Sequence, residues 1–375
     1  MAGIKKRPSG QWRARYRDPD GKEHARHFDR KVDAQRWLDQ VTSDLVRGTY
    51  LDPKAGQLRF AAFADEWLAA QTFDVSTREA VALRLRVHIL PTFGKLELKA
   101  IRPSTVQAWL RDRQATCAPT HVRVLLANLS TILSAAVDDG LIVRNPCDSR
   151  SVRAPKIEQN HVVPWTPEQV AAVVDAHPAR YQAVPLVAAG CGLRQGEVFG
   201  LRVEDVDFLR RRVLVRQQVK IVNSRPLIAP PKGGKTREVP LPDAVAEVIS
   251  EQIRLYPSGD SDLVFVTRER KPLVRTYYNP GIWKPALRVA EIEPTRKNGM
   301  HALRHFYASV LLDAGESIRT LADYLGHADP GFTLRVYTHL MPSSEDRARS
   351  AVDRVLRSAG ENAADSSRTR HQIGA

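Results

Sequence analysis

Between Leu58 and Gly140 the apolar spacing of this 375-residue chain is entirely helical, and that one block decides how the rest can be arranged. Phe60, Phe63, Trp67 and Leu68 mark a first helix. Ser76-Thr-Arg-Glu79 reads as a capping box that opens a second, running through Ile89 and ended by Pro91. Ser104 to Arg113 forms a third. Val122, Leu125, Leu126, Leu129, Ile132, Leu133 and Ala136 make the stripe of a long fourth, with Gly140 as its stop. Such a block closes a core of its own, so the strand-forming sequence on either side must fold separately. The breaks agree: Gly48 to Gly56 lacks periodicity, and Arg144 to Asn160 is polar, interrupted by Pro146 and Pro155, and reads as an interdomain linker. At about 150 residues per domain, the length also suggests two or three domains.

Ahead of the block, Trp12, Ala14 and Tyr16 alternate with Arg13, Arg15 and Arg17, a strand with one apolar and one arginine face. Asp18-Pro-Asp-Gly21 supplies a turn, and Lys22 to Phe28 alternates again. Helical spacing follows in Val32, Ala34, Trp37, Leu38, Val41 and Leu45. The expectation is a small three-stranded sheet backed by one helix, with Arg13, Arg15 and Arg17 as a basic face that contacts DNA.

Charge points the same way. The 57 basic residues outnumber 42 acidic ones, giving a formal charge of +15. That excess favours a polyanionic partner. Forty-three of the basic residues are arginine, whose planar fork grips phosphate through two bonds, although a GC-rich coding sequence would also enrich arginine. The cysteines, Cys117, Cys147 and Cys191, form no CxxC pair, so no structural zinc or other metal is expected. With no secretory leader read at the N-terminus, a reduced, intracellular and cytoplasmic protein is expected. The apolar run at Val184 to Ala189 is far short of a membrane span, and no membrane partner is expected.

Behind the block, Thr166-Pro-Glu-Gln169 restarts structure as an N-cap, a proline at the first helical position and a glutamine reaching back. In Gly192-Leu-Arg194-x-x-Glu197 an arginine preceded by glycine opens a helix, and Glu197 lies three residues on. Taken alone, the pair reads first as a structural salt bridge. Strands are expected over Arg212 to Val219, Arg225 to Ala229 and Glu238 to Leu241, with Lys232 at a glycine-containing hairpin tip. His301 and Arg304 share a helical face. His327 follows Gly326, a helix stop, and Tyr337 lies on a further helix. A last helix, Ser343 to Leu356, precedes a polar tail from Gly360 to Ala375 that is expected to be disordered.

In order and spacing, Gly192-Leu-Arg194-x-x-Glu197, Lys232, His301-x-x-Arg304, Leu325-Gly-His327 and Tyr337-x-His339 resemble the tyrosine recombinase (phage integrase) family over roughly Thr166 to Arg357. The preceding sequence looks like the integrase layout. The resemblance implies a multidomain α+β protein. Residues 1–52 would be an arm-type DNA-binding domain with a three-stranded sheet and a helix. Residues 58–145 would be an all-α core-binding (SAM-like) bundle. Residues 160–358 would be a mainly-α catalytic domain with a small antiparallel sheet, and 359–375 a tail.

It further implies site-specific strand exchange on double-stranded DNA at core and arm sites, by a homotetramer, through a 3′-phosphotyrosyl intermediate and without a cofactor. An accessory DNA-bending or excision factor would assist. Tyr337 would attack the phosphodiester, His301 would act as base, Arg194 and Arg304 would hold the non-bridging oxygens, and His327 would add a hydrogen bond. Lys232 would protonate the leaving 5′ oxygen, and Glu197 would orient its neighbours. Tyr307 and Tyr324 are assigned to packing or surface. The rival expectations are type IB topoisomerase-like relaxation and a DNA-binding regulator with an inert site.

Overall fold

The computed structural model describes residues 2–18, 21–47, 55–157, 162–258 and 262–337, together with positions 349 and 352. The chain divides into two compact units, residues 1–159 and 160–375. The helix expected over Ser343 to Leu356 lies outside the described residues apart from two isolated positions, and the expected tail lies wholly outside them.

The first unit opens with strands β1 (Gly3–Lys6), β2 (Trp12–Arg17) and β3 (Glu23–Phe28), antiparallel in the order β1-β2-β3. Helix α1 (Lys31–Val46) covers one face, where Trp37 lies 5.4 Å from Tyr16 and 5.6 Å from Phe28, ring centre to ring centre. Alternation put Ala14 and Tyr16 on that covered face, and both are buried. Val32 does not join them and is 55% exposed, because it sits in the first turn before the helix meets the sheet. Arg13 and Arg15 both pair with Glu23, at 3.1 and 3.5 Å, and Arg17 donates to the Gly21 carbonyl. One carboxylate from β3 therefore tempers the arginine face.

The helical block follows as α2 (Phe60–Ala70), α3 (Val75–Arg84), the short α4 (Leu90–Phe93), α5 (Pro103–Gln114) and α6 (Pro119–Asp138). Phe60, Phe93, Trp109, Leu125, Leu129 and Ile132 fill its core. Three expectations are corrected here. The cap of α3 is Asp74, whose carboxylate accepts the N–H groups of Ser76 and Thr77, in place of a box at Ser76 and Glu79. The helix does not end at Ile89. A π turn over Leu85–Ile89, in which the Leu90 N–H reaches back five residues to the Leu85 carbonyl, carries the chain on through Pro91. The wider turn gives Pro91 room and spares it a bond it cannot donate. Lastly, the stretch after Arg144 begins as part of this bundle. The Asn145 amide donates to Ser130 and Ser134, and Pro146 and Cys147 are buried against the core. By length and apolarity α6 could span a membrane, but its stripe from Val122 to Ala136 is buried in the bundle.

In the second unit α7 (Pro167–Asp175) starts with the expected capping box on Thr166 and Gln169. Helix α8 (Ala183–Cys191) is apolar on all sides and central; α9 (Gln195–Phe199) follows. Strands β4 (Val206–Asp207), β5 (Arg212–Val215) and β8 (Arg237–Pro240) form one antiparallel sheet in the order β4-β5-β8. Strands β6 (Gln218–Val222) and β7 (Arg225–Ala229) form a separate hairpin, so the single strand expected over Arg212 to Val219 is two. The break falls at Arg216, whose guanidinium is drawn aside to Asp205 and Glu204. Asn223 and Ser224 both have positive φ, 48° and 61°, the two-residue turn that matches strand twist. Among the described residues six helices follow: α10 (Asp243–Leu255), α11 (Arg275–Tyr278), α12 (Lys284–Val289), α13 (His301–Asp313), α14 (Ile318–Leu325) and α15 (Pro330–Tyr337). Tyr278, Trp283, Val184 and Leu303 are among the side chains that fill the core around α8.

Candidate active site

Gly192 ends α8 in the left-handed conformation, φ 63°, and the Tyr307 ring lies where a Cβ would be, 2.4 Å from that position. Only glycine allows both the turn and the approach. The turn delivers Arg194 to the start of α9. There its backbone N–H and Nη1 both donate to Glu197, at 2.8 and 2.9 Å, and its Nη2 donates to the Gly326 carbonyl at 3.3 Å.

Glu197 is 1% exposed and is shared. Arg237, at the head of β8, grips it with two bonds of 3.1 and 2.7 Å and turns its Nε to the Tyr324 carbonyl at 2.6 Å. Burial alone would raise the Glu197 pKa, but the Arg237 hydrogen bond and the charges of Arg237 and Arg194 outweigh it and hold it at about 2. The carboxylate stays ionised and ties β8, α9 and the end of α14 together.

Arg304 is 0% exposed on α13. It donates Nη1 to the Gly192 carbonyl at 2.7 Å, and Nη2 to the Leu325 carbonyl and to His327 Nε2, the latter at 3.1 Å. A guanidinium can only donate, so His327 accepts through Nε2 and carries its proton on Nδ1, which reaches the buried Thr333 hydroxyl at 2.7 Å. Arg304 Nε is buried with no hydrogen-bond partner among the described residues. A buried cation with an open donor is what an incoming anion requires.

Tyr337 ends α15 at 1% exposure, with its hydroxyl 2.8 Å from His305 Nδ1. His305 in turn meets His301 edge to face at 4.7 Å. Desolvation by the surrounding protein, then neighbouring charge, lowers all three histidines, His301, His305 and His327, to about 4. The imidazoles are therefore neutral at pH 7. Burial pushes the Tyr337 phenol up to about 12, against the opposing pull of Arg304 and Arg194.

Of the residues expected from sequence, Arg194, Glu197, Arg304 and His327 share one network. Tyr337 bonds to His305, which meets His301, and the Arg304 and Arg194 charges act on both the phenol and His301. Lys232 stands exposed in the turn before β8, with no ion pair among the described residues. Lys235, just before β8, and Arg237, its first residue, line a cleft of about 260 Å³ with Tyr324 and His327. Tyr307 is buried against Gly192, as packing requires, and Tyr324 is partly buried at the edge of the same core. Sequence reasoning missed Arg237, His305 and Thr333. The first shares the inward face of β8 with Val239, and the second lies four residues from His301, so both periodicities were available.

Three family models match the chain. The phage integrase N-terminal domain covers residues 3–47, the phage integrase central domain 60–151 and the phage integrase family 166–344. The phiRv2 prophage integrase of Mycobacterium tuberculosis is 29% identical over 90% of each chain. The integrase of Mycobacterium phage L5 is 25% identical over 88% of this chain and 92% of its own. Among solved structures, the Tn1549 transposon integrase in complex with a circular intermediate DNA shares the fold at a TM-score of 0.69. Its identity is 19%, over 79% of this chain and 99% of that one. A lambda integrase tetramer bound to a Holliday junction aligns at a TM-score of 0.57 and 17% identity, over 87% and 96%. Fold and relatives together define a tyrosine-type site-specific recombinase. The chain belongs to the phage integrase family.

Proposed function

We propose that this chain is an integrase that cuts and rejoins double-stranded DNA through a 3′-phosphotyrosyl intermediate, moving a phage or related element into and out of a chromosome. One observation carries the reading. Arg194 and the fully buried Arg304 are held by Glu197, Gly192 and Leu325, with an open Arg304 donor and a phenol, Tyr337, bonded to a neutral imidazole in the same unit.

The two guanidinia neutralise the non-bridging oxygens of the scissile phosphate, and His327, its ring oriented by Thr333, holds Arg304 in position by accepting through Nε2. A phenol near pKa 12 is some five units from ionisation at neutral pH, about 7 kcal/mol, so it needs a base as it attacks. Its proton passes to a neutral imidazole of the His301–His305 pair. The new Tyr337 O–P bond forms as the P–O5′ bond breaks, and the 5′ oxygen takes a proton from Lys232, whose exposed turn can follow a leaving group. Reversal by another strand's 5′ hydroxyl rejoins the DNA. Residues 1–52 bind arm sites, 58–145 and 160–358 each bind the core site, and four chains assemble on paired sites with an accessory bending or excision factor. The reaction is intracellular, as its substrate requires.

Incubation with nicked DNA carrying the core site should trap a covalent protein–DNA adduct that Tyr337→Phe abolishes while binding persists. An adduct that survives in that variant overturns the nucleophile assignment. Replacing the bridging 5′ oxygen by sulfur, whose thiolate leaves without a proton, should restore cleavage to Lys232→Ala; failure would remove Lys232 as the acid.

A further inference from the structure

In the helical bundle, away from the residues just described, His88, Cys117 and His121 bring two imidazole nitrogens and a thiol within 4.8 Å of one another. We propose that these three side chains bind a borderline-soft divalent cation of the zinc type, which staples the bundle.

The backbone prepares the cluster. His88 sits in the π turn Leu85–Ile89, a local widening that often marks a functional position, and its carbonyl is anchored by the Trp109 indole N–H at 2.9 Å. Cys117 lies in the turn between α5 and α6, its own N–H bonded to the Arg113 carbonyl at 2.8 Å. His121, four residues on, is in the first turn of α6, where its ring stands edge-on to that of His88 at 5.2 Å. Three elements of the bundle thus contribute one ligand each.

His88 Nδ1 is buried and has no hydrogen-bond partner among the described residues. A buried ring nitrogen left unpaired is unfavourable, and a cation would occupy it. The chemistry of the set is specific. Two nitrogens and one thiolate suit zinc, at bond lengths of roughly 2.0–2.3 Å, and leave a fourth position for water. Ligands around such an ion stand roughly 3.4–3.8 Å apart by those lengths, so closing the site takes about an ångström of side-chain movement. The Arg113 charge opposes a dication and the Cys117 thiolate favours one. The sequence alone discouraged this reading because no CxxC pair occurs; Cys117-x-x-x-His121 was visible, but its partner twenty-nine residues upstream was not.

The test uses the full-length protein stripped with chelator and titrated with Co²⁺. One equivalent should bind with the near-ultraviolet band of thiolate-to-cobalt charge transfer and the intense visible bands of tetrahedral geometry. Cys117→Ser should lose the charge-transfer band, and His121→Ala should weaken binding at least tenfold. Zn²⁺ should displace the cobalt and raise the melting temperature of the parent protein, leaving that of the Cys117→Ser, His121→Ala double variant unmoved. Circular dichroism of the metal-free variants, unchanged from the parent, separates ligand loss from misfolding. No charge-transfer band in the parent, or a band that persists in Cys117→Ser, overturns the site.

Discussion

At the residue scale the site depends on one carboxylate held between two guanidinia. Glu197 is buried, and Arg237 supplies two of its bonds from a strand forty residues away. Removing one partner of a buried pair leaves a charge uncompensated, which typically costs about 3–5 kcal/mol. Arg237→Ala should therefore lower the unfolding free energy by an amount in that range, read from urea melts. It should also slow adduct formation, because Arg194 loses the anchor that fixes its Glu197 partner. Arg237→Ala with unchanged stability would make the pair incidental. Arg194, Glu197, Arg304 and His327 were legible in the sequence through the motifs that resemble the tyrosine recombinase family; spacing alone read the Arg194–Glu197 pair as a structural salt bridge. Arg237 was not, since in Lys-Gly-Gly-Lys-Thr-Arg it reads as one more exposed turn cation. Only the inward pleat of β8 separates it from Lys232 and Lys235.

At the element scale, α13 sets the pH response. His301 and His305 have folded pKa values lowered to about 4 from the usual 6.5, so between those values the unfolded chain binds more protons. Stability is full above pH 6.5 and falls as the pH drops through about 4, by up to about 1.4 kcal/mol per pH unit for the partly buried His305 and by less for His301, whose exposed side chain is screened by solvent. Melting curves from pH 7 to pH 4 should show this loss, and His305→Gln should flatten it; a profile unchanged in that variant would remove His305 from the account.

The β6–β7 turn allows a gain instead. Ser224 holds φ 61° without being glycine, so Ser224→Gly should stabilise by about 0.5–1 kcal/mol, read as a raised urea midpoint. Element types were mostly legible, since each helix of the bundle shows its stripe. The misjudged limits have tertiary causes: a π turn that carries the helix past Pro91, a strand broken where Arg216 is drawn to Asp205, and a polar stretch pinned by the buried Asn145 amide.

For the whole molecule, two separate hydrophobic cores, one around Phe60 and Trp109 and one around α8, argue for two folding units. The polar, proline-broken stretch from Arg144 to Asn160 made a division there readable. That its first residues, Asn145 to Cys147, pack into the bundle was not, because polar character does not reveal burial. A net charge of +15 adds an expectation for DNA binding. If six to ten phosphates are neutralised, affinity should fall roughly 10³–10⁵-fold between 50 and 200 mM salt, measured by filter binding or anisotropy. A flat response would exclude a backbone-dominated grip.

The three cysteines differ sharply in setting. Cys147 and Cys191 are buried, and burial pushes both thiols up to about 12, whereas Cys117 is half-buried at the α5–α6 turn. In the metal-free protein a maleimide dye should therefore attach at one position without any engineering. The native chain then carries a fluorescent reporter on its helical bundle, suited to following the loading of DNA in real time.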